Sequence, residues 1–163
     1  PWQPPRSERA MADRPTVLVV HHTVSPALDD LLDAALAGVR DPALDGLVVQ
    51  PRAALSATAS DVLTAVGILL VTPANLGWMS GALKHFFDTI YYPCLRETVG
   101  RPYAAIVHGA SDTTGAVRSI EKIVTGLQWS AVGPALEVTG APSSAARDAA
   151  YDLAATLGAT VLD

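Results

Sequence analysis

A chain of 163 residues, half of them hydrophobic, is long enough to bury the core of one domain without disulfides or metals. Its formal net charge of -5 at pH 7 argues against nucleic acid or an anionic membrane as the partner, and favours a small molecule. The single cysteine, Cys94, allows no intramolecular disulfide, which is typical of a cytoplasmic protein.

The first ten residues, PWQPPRSERA, are proline-rich and charged. They lack the apolar run of a signal peptide or a membrane span. We expect residues 1–14 to be a disordered leader or an expression remnant, with Met11 as a plausible natural start, and residues 15–163 to form the domain.

Short apolar runs alternate with segments of helical periodicity in the rest of the chain. Residues 16–20 (TVLVV) predict a strand buried on both faces, and residues 26–39 predict an amphipathic helix. A weaker strand is expected at 44–49, where Pro51 ends it, followed by a loop with a short helix at 53–63. Further strands are predicted at 65–71, 103–107 and 131–138, and further helices at 81–91, 116–127 and 143–157.

This alternation predicts an α/β fold, with a doubly wound five-stranded parallel sheet and helices on both faces. Because crossovers are right-handed, few strand orders are reasonable, and 2-1-3-4-5 is a common one. In that order the chain leaves the sheet in opposite directions after the first and third strands, which opens a ligand crevice at their carboxyl ends. The loops after the first, third and fourth strands are therefore the candidate site.

The loop after the first strand places hydroxyl side chains before a helix N-terminus, where free amides and a partial positive charge favour a phosphate group. Taken alone, this loop favours an alternative in which Ser25 or Thr23 only caps the helix. The candidate cofactor-binding residues are His22, Thr23, Val24, Ser25, Pro26, Ala27 and Leu28.

The loop after the third strand has the composition expected around a flat, neutral ring such as isoalloxazine. Leu76 and Trp78 would form an apolar wall, while Asn75 and Gly77 would add polar and backbone contacts. In an alternative interpretation, Trp78 fills a gap between the loop and the core. The candidate residues are Thr72, Pro73, Ala74, Asn75, Leu76, Gly77, Trp78 and Met79.

Two segments carry a resemblance to a known family. Residues 72–88 read TPANLGWMSGALKHFFD, and residues 108–129 read HGASDTTGAVRSIEKIVTGLQW. They resemble the flavodoxin-like family of NAD(P)H-dependent FMN and quinone reductases, whose members carry a TP…G, NMSG segment after the third strand and a glycine-rich loop after the fourth. Trp78 stands where that pattern usually has Asn.

The resemblance implies that the loop after the fourth strand borders a flavin ring. In an alternative, this loop is an ordinary turn that caps the next helix through Thr113 or Thr114. The residues that would border the ring are Gly109, Ala110, Ser111, Asp112 and Gly115.

The phosphate loop departs from the family pattern S/T-x-T-G-x-T. Pro26 and Leu28 stand where the pattern has Gly and Thr, which removes one amide donor and one hydroxyl. Asp29 and Asp30 follow, and their charge opposes a phosphate dianion. These departures predict weakened FMN binding. Side chains that could compensate are those of Arg14, Arg52 and His22.

The resemblance implies an FMN-dependent oxidoreductase that takes hydride from NAD(P)H and reduces a quinone, a flavin or a similar small-molecule acceptor. It also implies self-association into a homo-oligomer. No catalytic side chain is predicted, because the flavin performs the chemistry. The alternatives are a flavodoxin-type electron carrier, and a flavodoxin fold that has lost the cofactor and acts as a binding module.

Other reactive residues suggest no further site. The adjacent His21 and His22 point to opposite sides of a strand, so no metal site is predicted. Lys84, His85 and Asp88 are interpreted as a solvated helix face, and Cys94 as inert.

Overall fold

The computed structural model describes residues 1–163, apart from the side chain of Met11. Its elements are α1 (Arg6–Ala12), β1 (Thr16–His21), α2 (Pro26–Val39), a 3₁₀ turn (Pro42–Leu44), β2 (Val48–Ala53), α3 (Ala59–Thr64), β3 (Gly67–Asn75), β4 (Trp78–Met79), α4 (Gly81–Cys94), β5 (Pro102–Gly109), α5 (Thr114–Gly126), β6 (Ser130–Ala131), β7 (Leu136–Thr139) and α6 (Ser144–Leu162).

The strands form a parallel sheet in the order β2-β1-β3-β5, and the short strands β6 and β7 both pair with the far edge of β5. The added strand β4 pairs antiparallel with the end of β3. The five predicted strands correspond to β1, β2, β3, β5 and the β6–β7 pair, so the predicted order 2-1-3-4-5 is confirmed.

Alternation along β1 divides the core into two layers. Val17 and Val19 belong to a cluster with α2 and α6, whereas Leu18 and Val20 belong to a cluster with α3, α4 and α5. Successive side chains of a strand point to opposite faces, so an unbroken apolar run is what a sheet covered on both sides requires. The predicted helices on both faces are confirmed.

The second strand begins and ends later than predicted. Leu44 lies in the 3₁₀ turn, and β2 runs through Pro51 instead of stopping before it. The amides of Val48 and Ala54 donate to carbonyls at the β1 side, so alternation turns the nitrogen of Pro51 outward. A missing donor costs nothing in the ladder there, because β2 is the edge strand.

The last strand, predicted to be continuous over 131–138, is interrupted. β6 pairs with Pro102 and Tyr103, and the amide of Val132 still donates to the carbonyl of Tyr103, whereas residues 133–135 leave the ladder before β7 pairs with residues 106–109 of β5. Pro134 lies in this break and has no amide to donate. The break leaves a cavity of about 230 Å³ against α5, lined in part by Tyr103 and Glu121.

Several helices extend past their predicted ends. Pro93 lies inside the last turn of α4 rather than beyond it, and α6 continues five residues past 157 to Leu162. Residues 6–12, expected to be a disordered leader, form α1, and the described side chains of this helix are exposed. Among the described residues, no helix combines the length and hydrophobicity that crossing a bilayer requires.

Candidate functional site

The sheet has a step at its carboxyl edge, between β1 and β3. His21 ends β1 opposite Val71, whereas β3 continues four residues further to Asn75. At about 3.3 Å per residue, β3 rises roughly 13 Å above the end of β1. The chain leaves β1 toward α2 on one face of the sheet and leaves the β3–β4 region toward α4 on the other. This step is therefore the switch point at which ligands bind in sheets of this kind.

The segment after Val71, predicted to be an open loop, is a tight β-hairpin. Ala74 pairs with Met79 and Asn75 with Trp78, and Leu76 and Gly77 form a two-residue turn. Both turn residues have positive φ, 51° and 74°, as a type I′ turn requires. Such a φ is a strained conformation for leucine.

The tip of the hairpin is apolar and open to solvent. The side chain of Leu76 is fully exposed, and that of Trp78 is 50% exposed. Trp78 therefore does not fill a gap in the core, as the alternative interpretation supposed. A pair of large apolar side chains exposed on one hairpin is typical of a binding surface.

The base of the hairpin is fixed to α5. The amide of Met79 donates to the hydroxyl of Ser119 at 3.2 Å, and the Met79 side chain is buried. The carbonyl of Gly77 lies against the backbone of Gly115, where a side chain would collide with it. Gly115 thus allows α5 to approach the hairpin. The sequence gives no local signal for Ser119, because it lies 40 residues from its partner.

Thr72 also has a role within the scaffold. Its hydroxyl is fully buried and lies 3.0 Å from the carbonyl of Pro73 and 3.2 Å from the hydroxyl of Ser80. Ser80 in turn caps α4 by accepting from the amide of Leu83. The candidates of this segment that remain exposed are Asn75, Leu76, Gly77 and Trp78.

The loop after β1 is organised as a helix cap. Ser25 is the N-cap of α2, and its hydroxyl accepts from the amide of Leu28 at 3.3 Å. The Thr23 hydroxyl lies 3.1 Å from Nδ1 of His21. Leu28 is buried in the core, while Val24 is 62% exposed. The capping alternative is thus the arrangement observed for Ser25.

Two histidines lie at the root of this loop. Burial lowers the pKa of His21, and the nearby Asp29 carboxylate acts in the opposite direction. Among the described residues, Nδ1 of His22 is a buried side-chain nitrogen with no hydrogen-bond partner. A buried nitrogen without a partner is uncommon in folded proteins, and it marks a place where an added hydrogen-bonding group would be favourable.

The charges around this loop are unfavourable for an anion. Asp29 and Asp30 are exposed at the start of α2. Arg14 donates to the carbonyls of Gly46 and Leu47, which precede β2 at the amino ends of the strands. Arg52 lies 3.9 Å from Asp61 of α3, which packs on the other face from α2. Neither arginine is therefore directed at the loop.

The loop after β5 is ordered by its own side chains. Oδ1 of Asp112 accepts from the amide of Thr114 at 2.9 Å, and this hydrogen bond lowers the pKa of Asp112. Thr113 makes no cap, because its hydroxyl donates to Glu137 of β7 at 2.8 Å. Capping through Thr113 is therefore wrong, and Asp112 takes that role. Ala110, Ser111 and Asp112 are exposed beside the hairpin, while Gly109 is buried.

Gly109 makes a close approach possible in this loop. A Cβ at this position would lie 3.0 Å from the carbonyl oxygen of Asp112 and 3.4 Å from Cβ of Ala74. The end of β5 therefore packs tightly on both its own loop and the hairpin strand. The exposed backbone at 110–112 lies at the same edge as the hairpin.

FMN has two portions, an isoalloxazine ring and a phosphate, which make different demands on the carboxyl edge of the sheet. An isoalloxazine ring needs an apolar wall and accessible backbone groups, which Trp78, Leu76 and residues 110–112 offer. A phosphate needs several free donors without opposing charge, and the capped start of α2 with Asp29 does not offer them. The ring portion therefore fits the residues present, and the phosphate portion fits poorly.

The other reactive side chains lie apart from this edge. Cys94 is buried, and burial raises the pKa of its thiol while Arg101 opposes that shift. Lys84 pairs with Asp88 at 2.6 Å along the exposed face of α4. Where the side chains are described, no three His, Cys, Asp or Glu residues are placed to hold a metal ion.

Known proteins resemble this chain in structure, but comparisons with family models and with curated proteins find no match. A flavodoxin from the domain Archaea has a TM-score of 0.79 at 15% identity, over 91% of this chain and 99% of the other. The Streptococcus pneumoniae TIGR4 flavodoxin gives 0.76 at 17% identity, over 89% and 99% of the two chains. A flavodoxin, WrbA-like protein from Agrobacterium tumefaciens gives 0.72 at 14%, over 92% and 98%. The chain has the flavodoxin-like fold.

Proposed function

We propose, from a flavodoxin-like fold with an exposed apolar hairpin at its switch point, that this protein binds FMN and acts as a redox protein. The observation that carries the proposal is the pair Leu76 and Trp78, exposed on a hairpin whose base is hydrogen-bonded to α5. The bound flavin would supply the electron-transfer chemistry, so no acid, base or nucleophile is needed from the chain.

The chain's own residues would bind and orient the ring. Trp78 offers an indole face for stacking, a contact worth about 0.5–1.5 kcal/mol beyond its buried area. The exposed backbone of residues 110–112 offers hydrogen-bonding groups, and the Asp112–Thr114 bond keeps that backbone in place. This arrangement would limit water at one side of the ring and leave the other side open.

Within the redox class, we propose a reductase that oxidises NAD(P)H and passes electrons to a quinone, a free flavin or a similar small-molecule acceptor. The support is the segment TPANLGWMSGALKHFFD, which resembles that family and forms the hairpin and the start of α4. A second candidate is an electron carrier, which the names of the archaeal and streptococcal neighbours favour.

Flavin titration tests the proposal. Purified protein should quench the fluorescence of added FMN or show a shifted flavin absorbance spectrum. Trp78→Ala should weaken the affinity about tenfold through lost stacking. The matched control is Trp2→Ala, which replaces an exposed tryptophan outside the candidate site and should bind flavin as the unmodified protein does. If neither FMN nor riboflavin binds at 1 mM, the proposal is wrong.

Steady-state kinetics separates the two candidates. A reductase should oxidise NADPH or NADH when a quinone is added, and the rate should rise with flavin occupancy. A carrier should show essentially no turnover until a partner reductase is supplied. Absence of turnover with fully loaded protein would favour the carrier.

A further inference from the structure

We infer that the site holds a flavin by its ring rather than by its phosphate, and therefore accepts riboflavin as well as FMN. The inference rests on the proposed flavin binding and names the ligand class more closely: a neutral flavin, with the phosphate contributing little. It follows from how the first turn of α2 uses its hydrogen-bond donors.

Most backbone amides of the first turn of α2 cannot donate to a phosphate, because they are missing or already hydrogen-bonded within the helix cap. Pro26 has no amide, and the amide of Leu28 donates to the Ser25 hydroxyl at 3.3 Å. The amide of Asp29 donates to the carbonyl of Ser25 at 3.0 Å, as the first regular bond of the helix. Among positions 26–29, only Ala27 keeps an amide that a phosphate oxygen could take, so further backbone donors would have to come from residues 23–25, whose amides make no backbone hydrogen bond to any described residue.

The hydroxyls and the arginines add little in compensation, and the side-chain group that remains available near this loop is Nδ1 of His22. Thr23 Oγ1 lies 3.1 Å from Nδ1 of His21, so ligand binding would have to compete with that contact. Asp29 is exposed in the first turn, where its charge repels a dianion. Arg14 and Arg52 interact elsewhere.

Parallel titrations with riboflavin and FMN measure the contribution of the phosphate directly. A single hydrogen bond to a charged group changes affinity by about tenfold to a hundredfold, so a formed phosphate pocket would favour FMN by about a hundredfold or more. We expect the two dissociation constants to agree within about threefold. An FMN preference above about tenfold overturns this inference and leaves the proposed flavin binding intact. Failure of both ligands to bind overturns the inference together with the proposed function.

Two substitutions test whether Asp29 and Pro26 are the reason that the phosphate contributes little. Asp29→Asn removes the repelling charge, and Pro26→Gly restores an amide donor. Each should strengthen FMN binding about threefold and leave riboflavin binding unchanged. Asp33→Asn makes the same charge change at an exposed position one turn further along α2. It should change the dissociation constant of neither FMN nor riboflavin. Equal gains for both flavins would show that the phosphate is not the group affected, and would overturn the assignment.

Discussion

The carbonyl oxygen of Gly77 lies directly against the backbone of Gly115, at the contact between the β3–β4 hairpin and the N-terminus of α5. The two glycines are 38 positions apart in the chain, and their contact joins the β3–β4 hairpin to the first turn of α5. The position of the hairpin backbone is therefore tied to that of α5.

A Cβ at position 115 would collide with backbone rather than with a flexible side chain, so the hairpin or the helix would have to move. Gly115→Ala should lower the free energy of unfolding by about 1–3 kcal/mol, measured by urea denaturation. It should also weaken flavin binding by displacing the hairpin.

Gly81→Ala is the matched control for Gly115→Ala, because nothing lies within 4 Å of a Cβ at position 81 and its φ is not positive. That variant should be neutral or more stable by up to about 1 kcal/mol. If both alanine variants had the same stability, the contact between Gly77 and Gly115 would not be tight.

Leu76 has a strained positive φ and an exposed side chain. Its replacement should therefore have opposite effects on the stability of the fold and on flavin affinity. Asparagine adopts positive φ more readily than leucine, so Leu76→Asn should raise the free energy of unfolding by about 1 kcal/mol. The same change removes an exposed apolar side chain and should weaken flavin binding.

The control for this prediction is Gln128→Asn. Gln128 also has positive φ, 57°, and is exposed at the end of α5, away from the candidate site. It should gain stability without any change in flavin affinity. A loss of stability in Leu76→Asn would contradict the strain assigned to the hairpin turn.

His21 should make the fold sensitive to mild acid. Its pKa is lowered in the folded protein, chiefly by burial, so the unfolded chain binds more protons between the folded and the unfolded pKa. The contribution of neutral His21 is present above about pH 6.5 and is lost as the pH falls from there toward the folded pKa.

Urea denaturation between pH 5 and pH 8 should therefore show a decline in stability on the acid side that is smaller in His21→Gln. His85→Gln removes an exposed histidine from α4 and is the control. An unchanged pH profile in His21→Gln would assign the decline to other groups.

A buried indole depends on one threonine in the core. Nε1 of Trp129 donates to Oγ1 of Thr98 at 2.8 Å, and both side chains are buried. Thr98→Val keeps the shape but leaves the indole N–H unpaired, which should cost about 1–3 kcal/mol in thermal or chemical unfolding. Thr89→Val, at an exposed position of α4, should change stability by no more than about 0.5 kcal/mol.

The order of the sheet could be predicted from the sequence because buried parallel strands need continuous apolar runs, such as residues 17–20. The boundaries of the strands near proline residues could not be predicted from the sequence. Pro51 is harmless on an edge strand, and Pro134 breaks the last strand, but the local sequence does not show which side of a strand faces a partner.

The β3–β4 hairpin could not be predicted from the sequence for a different reason. Its turn has Leu76 in a position where Asn, Asp or Gly is usual, so the ordinary hairpin signal is absent. The position of the candidate site follows from strand order alone. The fixed contacts around it, such as Met79 with Ser119, depend on pairs distant in sequence.

Pro51 has a consequence for how copies of this chain can meet. The outward nitrogen of β2 carries no hydrogen at this position, so a neighbouring molecule cannot continue a regular ladder along that edge. The opposite edge is divided into β6 and β7 by residues 133–135. Neither edge of the sheet therefore offers a long, regular ladder to which a strand of another copy could be added.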